Sequence, residues 1–185
     1  MVRKKYLPLE ARALISLCQP IDPLRRSRNL PAIELVIPFV EKDLEALPLV
    51  LEYAKRNVRN PLARVVLITP KDATETGPRF AREGSAEQLQ GLLAANPDAV
   101  VLYDQDILGA PLLEELNLRF GRGDRNAGWV TQQLIKLSAA MQSESEASLI
   151  LDSDTILLTE KTWFAKDRVQ LLQVANEYHS DFMRH

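Results

Sequence analysis

The stretch "IELVIPF", residues 33–39, decides the fold. Its apolar density and length are those of a strand buried on both faces, and Pro38 closes it because proline has no N–H to give a ladder. "EKDLEALPLVLEYAKRNV" follows as a helix, with Leu44, Leu47, Val50, Leu51 and Ala54 recurring at three- and four-residue spacing. Pro48 lies inside that pattern, so the helix either begins beside it or kinks there. Outward from this unit the theme repeats. "ARVVLITP" (63–70) is a second buried strand, again stopped by proline, "VVLYDQD" (100–106) a third that ends in carboxylates, and "SLILDSD" (148–154) a fourth. Helices are expected near 85–94, over "APLLEELNLRF" and over "WVTQQLIKLSAAMQ". Uniformly apolar strands alternating with helices predict an α/β fold, a mostly parallel sheet flanked by helices on both faces. Ligands bind such sheets outside the carboxyl ends of the strands, where Pro38, Phe39, Asp104, Asp106, Asp152 and Asp154 all fall.

Composition sets the frame. The chain has 185 residues, 46% hydrophobic and 26% charged, with a formal net charge of −2, which describes an ordinary globular protein and favours no nucleic-acid partner. Residues 1–32 form a basic arm, with a short helix in "LEARALISLC" and a Pro- and Arg-rich link, ahead of a main domain over 33–185. Seven basic residues against two acids in its first 28 positions permit at most peripheral contact with an anionic membrane. Glu10 and Arg12 interrupt any signal-peptide pattern, and no run approaches the roughly 18 apolar residues of a spanning helix. Cys18 is the lone cysteine, so no disulfide framework or cysteine zinc cluster is expected, and the cytoplasm is the default compartment.

Two features carry chemistry. Asp152 and Asp154 stand one residue apart at the end of an apolar run, about 6–7 Å apart on one side of an extended chain. They suit a hard divalent ion, Mg²⁺ or Mn²⁺, which takes one or two carboxylates plus substrate phosphates. Taken alone, such a tripeptide at a strand end is more often a plain turn than a metal site. Strand-Asp-x-Asp also resembles the first motif of haloacid-dehalogenase-like phosphatases, with a nucleophile followed by its acid-base. Thr155 stands three residues after Asp152 where that motif wants four, and only 31 residues follow Asp154. The second feature is the helix in "GWVTQQLIKLSAAM". Val130, Leu134, Leu137 and Met141 fall within an arc of roughly 60° and are expected to face the core. Trp129, Gln132, Gln133 and Lys136 form a second face of about 100°, either a solvated surface or the lining of a site beside the loop "GRGDRNAG".

In this order, "IELVIPFVEKDLEALPLVL", "VVLYDQDIL", "GWVTQQLIKLSAA" and "SLILDSDTILL" resemble a bacterial family of predicted glycosyltransferases, a domain of unknown function with the Rossmann-like GT-A fold, from about Ile33 onward. The resemblance implies that Pro38 and Phe39 border a nucleotide. It implies that Asp152 and Asp154 hold Mn²⁺ or Mg²⁺ with the diphosphate of a sugar donor, and that Asp104 and Asp106 lie near the nucleotide or donor sugar. Trp129, Gln132, Gln133 and Lys136 match the family helix, Lys136 pairing with phosphate or with Asp152 itself. The implied activity is transfer of the sugar to a glycan or other hydroxyl acceptor. No catalytic base is assigned. The family pattern continues past "NEYHSDFMRH", so the acceptor part is expected to be missing, which leaves a non-catalytic sugar-nucleotide-binding module as the alternative. His179 and His185 are the only histidines, both in this last segment.

Overall fold

The computed structural model describes residues 29–71, 77–120, 125–166 and 169–171. The expected helix of the basic arm, Cys18, the first half of the "GRGDRNAG" loop, His179 and His185 lie outside the described residues. The four expected strands are present: β1 (Ile33–Pro38), β2 (Leu62–Thr69), β3 (Ala99–Tyr103) and β4 (Ser148–Ile150). They form one parallel sheet in the order β3-β2-β1-β4, so β1 is central and the chain reverses its direction of travel between β1 and β4. The helices are α1 (Leu47–Asn57), α2 (Ser85–Ala95), α3 (Asp104–Leu108), α4 (Ala110–Phe120) and α5 (Arg125–Met141). A Rossmann-like α/β fold results.

Both faces of β1 and β2 are covered, as the apolar runs at 35–37 and 65–68 require. Leu35, Ile37, Val65 and Leu67 pack with Leu47, Val50 and Leu51 of α1 and with Leu89 and Leu92 of α2. The alternate residues Val36, Val66 and Ile68 pack with Ile107 of α3 and with Ile135 and Ala139 of α5. Each such side chain contributes about 1.5–3 kcal/mol on leaving water, and the twelve largest fully buried residues all belong to β1, β2, α1 or the turn before α1. The most deeply buried part of the core is therefore centred on β1, β2 and α1, with Leu149, Ile150 and Leu151 packed against it.

One detail decides between the alternatives left open for Pro48, and three depart from the expected layout. After β1 the chain makes a 3₁₀ turn at Glu41–Asp43, and α1 starts only at Leu47, with Pro48 in its first turn, where a missing N–H costs nothing. β3 stops at Tyr103, so Asp104 and Asp106 belong to the short helix α3 and not to a strand end. β4 stops at Ile150, and the Asp-x-Asp tripeptide lies in a turn beyond it. Finally, the face of α5 that meets the sheet carries Ile135 and Ala139. The expected stripe is turned away: Leu137 is 61% and Met141 87% exposed, with Val130 and Leu134 only half-buried.

The opposite end of the sheet is closed by polar groups. Glu34, buried at the start of β1, accepts from Arg64 Nε at 2.9 Å and Nη2 at 2.6 Å. Asn60, 2% exposed, accepts from the Trp163 and Phe164 N–H groups and donates to the Pro31 and Phe164 carbonyls. It anchors a hairpin of two-residue strands, β5 (Phe164–Ala165) and β6 (Val169–Gln170), which the sequence reading did not anticipate.

Candidate functional site

The strand order reverses between β1 and β4, and at the carboxyl ends of the sheet a crevice opens among the loop after β1, the turn after β4 and α5. Its volume is about 870 Å³. Pro38, Phe39, Asp104, Trp129, Gln132, Gln133, Lys136, Asp152 and Asp154 all line it, and Asp106 does not. Asp106 is exposed on α3, because its position in a helix directs it away from its neighbour Asp104.

The rim beside β4 is a turn held from both sides. Leu151 N–H donates to the Val36 carbonyl at 3.0 Å, prolonging the β1–β4 pairing by a residue. Thr155 N–H then donates to the Asp152 carbonyl at 3.0 Å, closing a tight turn over Ser153 and Asp154. Ser153 is buried, whereas Asp152 and Asp154 are exposed on either side of it. The Ser153 hydroxyl donates to Asp43 Oδ2 at 2.9 Å, and the same oxygen accepts the Val40 N–H at 3.0 Å. Asp43 thus ties the loop after β1 to the turn after β4 across the crevice. Sequence reading missed both partners. The one local signal was an aspartate three residues past Val40, the spacing at which a carboxylate reaches back to a free N–H at a helix start.

Across the crevice, α5 presents Trp129, which is 61% exposed, with Gln132 and Lys136 one and two turns further along. Lys136 Nζ pairs with Asp152 Oδ1, so one of the two pairings expected for this lysine is present. The two partners differ in setting: the Lys136 side chain is 13% exposed and that of Asp152 51%.

Toward β2 and β3 the lining changes character. Asp104 Oδ1 accepts the Lys71 N–H at 3.0 Å and the Gln105 N–H at 2.8 Å, which fastens the end of β2 to the start of α3. Lys42, Lys71 and Arg79 add positive charge here, Lys71 Nζ lying 5.7 Å from the centre of the Tyr103 ring. Thr69, 1% exposed at the end of β2, lines the crevice with a hydroxyl that has no hydrogen-bond partner. Phe39 is buried and tilts at 55° to Phe80, with ring centres 6.4 Å apart. Glu41 secures the adjoining loop by accepting the Arg82 N–H at 2.6 Å and the Ala81 N–H at 3.1 Å. These backbone donors, Arg82's first, hold its carboxyl below the ordinary value of 4.5, and the Ser85 side chain and the Arg82 charge act in the same direction.

The donor set can be tested against a metal. Among the described residues no group of three or more His, Cys, Asp or Glu side chains converges on one point. Mg²⁺ and Mn²⁺ do not require one when phosphate oxygens and water complete the shell. Two exposed carboxylates on one tight turn fit such an ion, with the condition that one oxygen of Asp152 is already engaged by Lys136. No family model, curated protein or solved structure matches this chain. No helix among the described residues is long and apolar enough to cross a membrane.

Proposed function

We propose that this protein is a GT-A-like glycosyltransferase domain. It binds a nucleoside-diphosphate sugar with Mn²⁺ or Mg²⁺ at Asp152 and Asp154, and passes the sugar to a glycan or other hydroxyl acceptor. The reading rests on one observation above all: two exposed carboxylates bracket buried Ser153 at a switch-point crevice, facing a helix that carries Trp129, Gln132 and Lys136. A metal held there supplies a Lewis acid for the departing diphosphate. The chain's own groups do the rest. Lys136 and Lys42 offer ammonium groups to phosphate, Gln132 and Gln133 offer amides to sugar hydroxyls or phosphate oxygens, and the exposed indole of Trp129 offers a flat apolar face. Pro38 and Phe39 form the floor toward the nucleotide, and Asp104 supports the wall beyond it. The setting we propose is cytoplasmic, in keeping with a single cysteine.

Calorimetric titration with UDP, GDP and their sugars, with and without Mn²⁺, tests this reading. Metal-dependent binding of at least one is expected, weakened about 10–100-fold or more by Asp152→Asn or Asp154→Asn. A folded sample showing no metal-dependent binding to any of them refutes it.

A second reading has its own support. Three of the four aspartates lining the crevice accept hydrogen bonds within the protein, Asp43 from Ser153, Asp104 from Lys71 and Asp152 from Lys136. That leaves Asp154 as the remaining aspartate for general-base work, in competition with its metal role. A non-catalytic sugar-nucleotide-binding module follows if donor binds and neither transfer nor donor hydrolysis occurs with any acceptor supplied.

A further inference from the structure

Lys136 sits two turns from Trp129 on the crevice side of α5, between core residues Ile135 and Ala139 that fix its backbone against the sheet. An ammonium group on a side chain only 13% exposed requires a counter-charge, and it has taken Asp152 Oδ1. That oxygen belongs to one of the two carboxylates proposed to hold the metal. A dication and an ammonium cannot share it without strong repulsion in a partly desolvated crevice. Lys136 therefore opposes metal binding for as long as it stays on Asp152.

The geometry also supplies a way out. The four-carbon stem of lysine lets its charge swing between partners by rotation alone. Asp152, half exposed, gives up the pair at little cost because water takes the place of the ammonium. The turn does not move when the pair breaks, since Asp43 and the Asp152–Thr155 turn hold its backbone independently of Lys136.

We infer that Lys136 is an exchangeable counter-ion that couples the metal to the diphosphate. Without phosphate it occupies Asp152 and keeps metal affinity low. When a diphosphate enters, the ammonium transfers to a phosphate oxygen, Asp152 turns to the metal, and the two ligands bind cooperatively. Linkage makes the coupling reciprocal: whatever factor the diphosphate adds to metal affinity, the metal adds to diphosphate affinity. This inference rests on the proposed metal role of Asp152 and Asp154. It adds that Lys136 is a positioning residue whose removal strengthens one ligand and weakens the other.

The test uses the full chain and probes independent of base and sugar: Mn²⁺ alone, followed by the resonance of free Mn²⁺, and inorganic pyrophosphate with and without Mn²⁺, by calorimetry corrected for their complex in solution. For the native chain, pyrophosphate should raise Mn²⁺ affinity about tenfold or more. In Lys136→Met and Lys136→Gln, Mn²⁺ alone should bind several-fold tighter, pyrophosphate about tenfold weaker, and the coupling should shrink to about twofold. Lys136→Arg, which keeps the charge, should keep the coupling. A merely structural lysine would lower both affinities together. If the native chain binds both probes but the two affinities fail to move in opposite directions in the variants, the counter-ion role is overturned and the metal reading stands. If neither the native chain nor the variants bind Mn²⁺, both are overturned.

Discussion

Replacing Ser153 and Asp43, singly and together, measures how firmly the two rims of the crevice are fastened. The buried Ser153 hydroxyl donates to Asp43 Oδ2 at 2.9 Å. Hydrogen bonds to charged acceptors contribute about 1.5–3 kcal/mol, and the partial exposure of Asp43 puts Ser153→Ala near the lower end, about 1.5 kcal/mol. Asp43→Ala removes this bond and the 3.0 Å bond from the Val40 N–H, and it strands the Ser153 hydroxyl away from water. About 2–3 kcal/mol should be lost, which at a urea slope near 2–3 kcal/mol/M moves the midpoint by about 1 M. If the two side chains share one bond, the double variant costs little more than Asp43→Ala alone. The cycle then leaves a coupling of about 1–1.5 kcal/mol. Urea unfolding followed by circular dichroism gives all three values. Single losses that sum to the double within about 0.3–0.5 kcal/mol would refute the direct link and with it the account of why the turn is rigid.

Two further predictions concern the scaffold. Glu41 has a carboxyl held below 4.5 in the folded protein, so its contribution to stability is complete above that value and disappears as pH falls through the lower folded value. Glu41→Gln should flatten the acid limb of a stability–pH curve in that window, and an unchanged limb would remove the loop-anchoring role given to it. Asn60 serves four backbone groups from a position 2% exposed. Asn60→Ala should therefore cost about 3 kcal/mol or more in the same unfolding assay, whereas a loss under about 1 kcal/mol would show that water replaces these bonds.

The parts of the fold legible in the sequence were those where one physical requirement acts alone. β1 and β2 are covered on both faces, so their middle positions must be apolar, and "LVI" and "VVLI" say so directly. The polar exceptions sit at the strand ends, Glu34 paired with Arg64 and Thr69 at the crevice. α5 shows where this reasoning weakens. Leu134, Leu137 and Met141 mark an apolar stripe, yet Ile135 and Ala139 are the residues that pack on the sheet, so an apolar period alone does not say which face of the helix is covered. α3 was misread for a related reason. "DQDIL" contains only one residue that becomes buried, Ile107, and a single apolar position carries no period. Within the site, Lys136 and Asp152 were legible as one of two pairings, being 16 positions apart on adjoining elements. The Asp43–Ser153 bond spans 110 positions and depends on strand order, which no local pattern encodes.

That separation bears on how the molecule is made. During synthesis β1, β2 and β3 can pair as they emerge, each beside its predecessor in the chain, while the remaining edge of β1 waits for β4. Until residues 148–153 arrive, a nascent chain presents that edge, an apolar central strand with one side unpaired, of the kind that recruits other chains. The carboxylates Asp152 and Asp154, the serine that seats them and the last central pairing all arrive in the same few residues. Acquisition of the crevice and protection from aggregation are then one event, and a variant that weakens β4 should be recognised by chaperones before it is recognised as inactive.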